Sequence, residues 1–151
     1  MDALELLKED HERVRRLFDQ FKTTTGFQGR KQLFMNIYEE LETHTHVEET
    51  VIYPSFRNFP EFSDLLKSSY EEHARVRKLL NSVFDDLRST DGRPDQFVER
   101  VEAIEREVMA HVRTEETEFF PRVRHQMKRR EREQLGRHVQ AAKDERRERA
   151  A

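Results

Sequence analysis

The sequence predicts an all-α protein: an antiparallel up-down four-helix bundle made of two repeated helical hairpins, followed by a charged C-terminal helical extension. Three observations predict it. Apolar residues recur at steps of three and four in four separate stretches, the spacing of one helical face. Those stretches fall into two pairs with matching motifs. Segments bearing proline or glycine separate them at intervals suited to short helix connections.

Leu4, Leu7, His11, Val14, Phe18 and Phe21 carry the first helix, which ends before Thr23-Thr24-Thr25-Gly26. The second runs from about Arg30 to Tyr53 on a stripe of Phe34, Ile37, Leu41, His44, Glu48 and Val51, with Pro54 marking its end. The third spans about Glu61 to Arg88 through Phe62, Leu66, Ser69, His73, Val76, Leu80, Val83 and Leu87. Ser89-Thr90-Asp91-Gly92-Arg93-Pro94 is the clearest loop. Phe97, Val101, Ile104, Val108, His111, Glu115 and Phe119 then define a fourth helix that stops near Pro121. Beyond Val123 the apolar residues are chiefly Met127, Leu135 and Val139, interrupted by Gly136. This predicts a helix packed loosely on the bundle or projecting from it, frayed toward Ala151. Residues 1–125 are therefore read as the bundle and 126–151 as a basic extension.

With 151 residues and 34% of them hydrophobic, the chain supports one modest core. Its 39% of charged residues suits helices with thin apolar stripes and broad solvated faces. The absence of cysteine excludes disulfides, iron–sulfur clusters, thiolate zinc sites and thiol redox chemistry, so any metal must be held by nitrogen and oxygen. There is no apolar run long enough to span a membrane and no signal segment, so a cytoplasmic protein without a membrane partner is expected. Residues 122–151 hold eleven Lys/Arg against five Asp/Glu, about +6, which leaves the rest of the chain about −9.

The repeat carries the chemistry. His44-Thr45-His46-Val47-Glu48-Glu49-Thr50-Val51-Ile52-Tyr53-Pro54 matches His111-Val112-Arg113-Thr114-Glu115-Glu116-Thr117-Glu118-Phe119-Phe120-Pro121, both reading H-x-x-x-E-E-T-x-x-aromatic-P. His11-Glu12-Arg13-Val14-Arg15-Arg16-Leu17 likewise matches His73-Ala74-Arg75-Val76-Arg77-Lys78-Leu79. Residues i and i+4 share a helical face, so His44 with Glu48 and His111 with Glu115 each form half a site. Approximate two-fold symmetry sets the two halves facing each other, with His11 and His73 opposed. A carboxylate can bridge two metals whereas a neutral imidazole serves one, so the economical assembly gives each metal two histidines and lets Glu48 and Glu115 bridge. Which histidines share a metal is left open by spacing alone.

Taken singly, a histidine on an apolar stripe is usually a hydrogen-bonded core residue. Here all four helices present one, and the two with an i+4 carboxylate are the two related by repeat. Burying six such groups costs heavily unless metal or paired partners satisfy them. Nitrogen and oxygen donors without sulfur suit iron, with manganese or zinc as substitutes. Glu40 and Glu107, four residues before His44 and His111, are read either as hydrogen-bond partners or extra ligands at the site or as salt-bridge residues. Glu49 and Glu116 turn away by about 100° and are assigned to the surface. Tyr70 reads as packing, Phe119 and Phe120 as closing the bundle beside Pro121, and His46, His125 and His138 as surface residues.

These residues resemble the hemerythrin-like proteins with the HHE cation-binding domain, over roughly residues 1–125. The features that carry the resemblance are His11-Glu12, the two H-x-x-x-E elements running into aromatic-Pro, and Glu72-His73. The resemblance implies metal-ligand roles for His11, His44, Glu48, His73, His111 and Glu115, in a di-iron centre with an oxo or hydroxo bridge. Oxygen-carrying hemerythrins have a second histidine in the third helix, one turn beyond the first. Ser69 and Arg77 flank His73 here, so the chain looks like the four-histidine branch, which does not imply simple reversible oxygen carriage. A ferritin reading is disfavoured because its Glu-x-x-His elements are absent.

The expected function is that of a non-haem di-iron protein binding or reacting with dioxygen, peroxide or nitric oxide, as sensor, binder or peroxide-decomposing protein. A metal-dependent regulatory or protein-interaction module, with the C-terminal extension as the partner surface, is the alternative, and iron buffering is another. Lys128-Arg129-Arg130 with Arg132 could meet phosphate. Acidic residues interrupt that stretch and no aromatic platform accompanies it, so nucleic acid is not the expected partner.

Overall fold

The computed structural model describes residues 1–89 and 93–150, and among these the chain is helical and without strands. Five long helices, one more than the repeat predicts for the bundle, make up the architecture: α1 (Ala3–Thr23), α2 (Phe27–Val47), α3 (Ser63–Ser89), α4 (Phe97–Thr114) and, after the short α5 (Phe120–Gln126), α6 (Arg129–Ala150). Thr90, Asp91 and Gly92 of the expected loop lie outside the described residues, and the chain is non-helical at 93–96.

Local chemistry sets the ends. Asp2 caps α1 by accepting from Glu5 N at 3.0 Å, where an acceptor satisfies an otherwise free helical N–H. Gly26, at φ +87°, starts α2 in a backbone region that penalises a Cβ. Beyond α2 and α4 the chain then changes pitch. Over Glu48–Ile52 and again over Glu115–Phe119 the turns widen, so that Tyr53 N–H reaches the Glu48 carbonyl and Phe120 N–H the Glu115 carbonyl. Pro121 does not end the fourth helix as expected. It occupies the first turn of α5, where its missing N–H costs nothing, just as Pro54 enters the tight turn Tyr53–Phe56.

Pairs between helices run in opposite directions along the chain. Asp10 with His44 and Arg13 with Glu40 link α1 to α2, while Tyr38 with Asn81 links α2 to α3 and Glu49, just beyond α2, meets Arg77 of α3. Arg100 with Asp86 joins α4 to α3, and Lys22 with Glu105 joins α1 to α4. Two apolar cores result. One gathers Phe18, Phe21, Phe34, Leu80, Phe97 and Ile104, and the other Leu7, Ile52, Phe56, Phe62, Phe119 and Val123. The polar residues His11, His44, Glu48, His73, His111 and Glu115 are all buried, in the stretches of chain where residues of one core give way to residues of the other.

The extension is docked rather than loose. Leu135 and Val139 enter the core beside Leu4, Leu7 and Phe120, and α6 packs along α1 and α2. A Cβ on Gly136 would come within 2.7 Å of the Met1 carbonyl, so glycine permits the close approach of α6 to the N-terminus. Arg132 pairs with Asp2 at 3.2 Å, Arg146 donates to Thr43, and the buried Lys143 pairs with Asp10. The low apolar count misled the expectation because four residues, Leu135, Gly136, Val139 and Lys143, supply the whole buried face.

Candidate metal centre

The six residues singled out by the repeat converge. One group brings His11, His44, Glu48 and Glu115 together and another brings Glu48, His73 and His111, in each case with one donor atom per residue within 4.8 Å of the others. His11 thus pairs with His44, their rings 5.0 Å apart, and His73 with His111, 4.7 Å apart. Each pair comes from one hairpin. The carboxylates span both pairs: Glu115 sets Oε1 at 3.1 Å from His11 Nε2 and Oε2 at 3.4 Å from His111 Nε2, while Glu48 Oε1 lies 3.2 Å from His44 Nε2 and 3.1 Å from His73 Nε2. The i, i+4 spacing places each glutamate beside its own histidine, and the two helices together complete the bridge.

Every Nε2 faces inward because every Nδ1 is tied to a carboxylate on a neighbouring helix. Asp10 of α1 reaches His44 of α2 at 2.9 Å, and Glu49, just beyond α2, reaches His73 of α3 at 2.8 Å. Glu72 of α3 reaches His111 of α4 at 2.6 Å, and Glu116, just beyond α4, returns to His11 of α1 at 2.7 Å. This ring of four hydrogen bonds orients the imidazoles and leaves Nε2 as the inward donor of the neutral tautomer, the usual partner arrangement for metal-binding histidine.

Glu49 and Glu116 are therefore not surface residues, contrary to the expectation from helical phase. A residue 100° from the site faces the adjacent helix rather than water, and that helix presents a histidine edge there. Glu40 instead pairs with Arg13 at 3.0 Å and Glu107 lies 3.8 Å from Arg75, which matches their salt-bridge reading. The sequence reading also gave no place at the site to Asp10 or Glu72, nor to Tyr53. Tyr53 is 1% exposed, and its hydroxyl donates to Glu115 Oε2 at 2.8 Å and lies 3.1 Å from Glu48 Oε1. Extrapolating the α-helical stripe points Val51 inward, but the widened turn carries Tyr53 over Glu48 instead. His46, His125 and His138 are exposed, as expected.

Electrostatics report how much charge this layer holds. Burial alone would lower His44, yet Glu48, Asp10 and Glu115 hold it well above the ordinary histidine value, and Glu115, Glu48 and Glu72 do the same for His111. His11 and His73 are raised against burial by Glu115 with Glu116 and by Glu48 with Glu49. Burial and the neighbouring Glu115 push Glu48 up, but His44 and His111 outweigh them and hold it below the ordinary glutamate value. Burial and the two carboxylates push Tyr53 well above its usual value, so it stays a neutral hydroxyl donor.

This arrangement fits a pair of cations. His44 Nε2 and Glu48 Oε2 are buried without a hydrogen-bond partner, and the 3.2 Å approach of His44 Nε2 to Glu48 Oε1 lacks hydrogen-bonding geometry. Unsatisfied buried donors and acceptors aimed at a common point are costly unless an ion completes them. Two divalent ions would also bring the same charge as four imidazolium protons, so exchange of protons for metal leaves the buried charge unchanged.

A cavity with about 30 Å³ of room for water-sized molecules opens beside the histidines. Val14, Leu41, Val76, Val108 and Val112 form its apolar wall, and neither Glu48, Glu115 nor Tyr53 lines it.

Comparisons with known proteins bear on the fold and the family. A crystal structure of a hemerythrin HHE cation binding domain-containing protein from Mycobacterium kansasii, a Rv2633c homologue, superposes with a TM-score of 0.79 at 23% identity, covering 96% of this chain and 86% of that one. That likeness establishes a shared fold. A protein named DNA nickase from Nostoc sp. is 29% identical over 143 residues, which are 95% of this chain and 39% of that protein. The chain thus spans well under half the length of this relative. The hemerythrin HHE cation binding domain profile matches residues 2–123, and the chain belongs to that family.

Proposed function

We propose that this chain is a non-haem di-iron protein that binds or reacts with a small oxidant or gas: dioxygen, peroxide or nitric oxide. His11, His44, Glu48, His73, His111 and Glu115 are the proposed ligands, with His11 and His44 serving one ion, His73 and His111 the other, and the two glutamates bridging. The donor set of imidazole and carboxylate without sulfur supports iron, with manganese or zinc as substitutes. We read α1 to α4 as an up-down four-helix bundle of two hairpins, residues 1–125 as the metal-holding body and 126–151 as an extension, working in the cytoplasm.

The observation that carries this reading is the small apolar cavity against the four histidines. About 30 Å³ of such room is enough for a diatomic molecule or peroxide. Bound iron would supply open coordination positions and redox capacity beside it. The chain's own residues do the rest. Asp10, Glu49, Glu72 and Glu116 hold the imidazole tautomers, the valine wall excludes bulk water, and Tyr53 holds a proton 2.8 Å from Glu115 Oε2. Anaerobic Fe(II) titration tests the ligand set. The reading expects saturation at about two ions per chain, with Glu115→Ala losing tight binding of at least one. Saturation unchanged in that variant would contradict it.

A second reading, a metal-dependent regulatory or interaction module, is supported by the ion pair between Lys143 and Asp10, which joins α6 to the His44 side of the site. Truncation after residue 126 separates the readings if metal is retained while association with a protein partner is lost. Iron buffering instead requires rapidly exchangeable metal. The relative named DNA nickase makes DNA a ligand to test, and the leading reading expects no nicking of supercoiled plasmid by the iron-loaded chain.

A further inference from the structure

Two tyrosines lead from the buried site to the surface. The Tyr53 ring meets Tyr70 edge to face at 5.4 Å and 71°, and Tyr70 is 39% exposed while Tyr53 is 1% exposed. Packing does not demand a phenol at either position. In the repeat, the residue matching Tyr53 is Phe120, which stacks on His11 at 5.8 Å much as Tyr53 stacks on His73 at 5.6 Å. The residue three before His11, matching Tyr70, is the exposed Lys8. Both hydroxyl-bearing rings therefore sit on the His73 half alone, in contact with each other.

A phenol gives up an electron readily only when its proton has somewhere to go. Tyr53 has Glu115 Oε2 at 2.8 Å, within reach for proton transfer, and Tyr70 has solvent. We propose that Tyr53 and Tyr70 form a one-electron path from the metal centre to the surface, and that Tyr70 is where small phenolic donors are oxidised at the expense of peroxide. This rests on the di-iron reading above.

The path balances as follows. Tyr53 gives one electron toward the centre and its phenolic proton to Glu115. Tyr70 gives one electron to the resulting Tyr53 phenoxyl, which takes its proton back, and Tyr70 loses its own proton to water. A phenolic donor at the surface returns one electron and one proton to Tyr70. Two donors lose two electrons and two protons, one hydrogen peroxide takes them up to become two waters, and the donors leave as phenoxyl radicals.

The test uses the full chain loaded with Fe(II), treated with hydrogen peroxide in the presence of biotin-tyramide and mapped by peptide mass spectrometry. The chain has three tyrosines, so Tyr38, half-buried and bonded to Asn81, is an internal control. Labelling is expected on Tyr70 over Tyr38, and Tyr70→Phe is expected to lower tyramide oxidation at least about tenfold while iron content stays at the wild-type level. Tyr53→Phe, which copies the Phe120 side of the repeat, is expected to abolish labelling of an intact Tyr70. Equal labelling of Tyr38 and Tyr70, or unchanged oxidation in Tyr70→Phe, overturns the path. A chain that binds iron yet leaves peroxide untouched, or that consumes peroxide and leaves Tyr70 unlabelled, overturns the path alone, whereas one that takes up no iron overturns both proposals.

Discussion

Lys143 of the C-terminal helix pairs with Asp10, the same carboxylate that holds Nδ1 of His44 at 2.9 Å. Lys143 is 4% exposed and Asp10 1%. Burial would push the Asp10 carboxyl up, but His44 and Lys143 hold it down at about 2. A helix of mostly solvated charge is thereby coupled to the innermost polar layer. Replacing Lys143 with Met leaves the buried Asp10 with only Arg13 and His44 as cationic partners, so urea unfolding of the metal-free chain should show a loss of about 3 kcal/mol. Adding Asp10→Asn to that variant should recover part of the loss, because the uncompensated charge is gone. Equal stability of wild type and Lys143→Met would remove α6 from the account.

The carboxylate ring predicts graded effects on metal retention. Glu49→Gln and Glu116→Gln keep the shape of the side chain but weaken its hold on His73 and His11. Each should lower metal affinity about 10- to 100-fold with little change in helical content. Glu107→Gln, whose partner is Arg75 on the surface, should leave affinity unchanged, as competition with a chromophoric chelator will show.

The pH dependence of the metal-free protein follows from the raised histidines. Folded-state values above the ordinary 6.5 mean that the histidines contribute stability fully below that value and lose it as pH rises through the folded values. The lowered Glu48 and Glu115 act oppositely. Their contribution is present above the ordinary 4.5 and is lost as pH falls through the folded values. Thermal melting without metal should therefore be highest between these limits and decline from about neutral pH upward. Metal should abolish the alkaline decline while releasing protons on binding, measurable by calorimetry in buffers of different ionisation enthalpy.

Tyr53→Phe should fold normally, since Phe120 fills the matching position in the other half. It removes a buried donor from Glu115 and Glu48, so stability should fall by about 1–3 kcal/mol. Chemical denaturation with metal absent reads this effect apart from any role in redox chemistry.

Much of this site was legible because helical phase is local. The steps from Leu7 through His11 to Val14, from Leu41 through His44 to Glu48, from Ser69 through His73 to Val76, and from Val108 through His111 to Glu115 put all six polar residues on faces that the structure buries. What escaped depends on neighbours or on pitch. Asp10, Glu49, Glu72 and Glu116 act on histidines of other helices, and no single-helix pattern shows which edge they meet. Tyr53 came inward through a widened turn, which a fixed 3.6-residue period cannot anticipate. In α6 the abundant charge hid a four-residue buried face.

Iron held by the buried histidines and glutamates, as proposed above, would number two ions per chain. Metal content of freshly purified protein, taken with its optical spectrum before and after reduction and exposure to dioxygen and peroxide, tests it most directly. About two irons per chain and an absorption that changes on each addition are expected. Protein that arrives without metal and fails to take up Fe(II) under anaerobic conditions would contradict it.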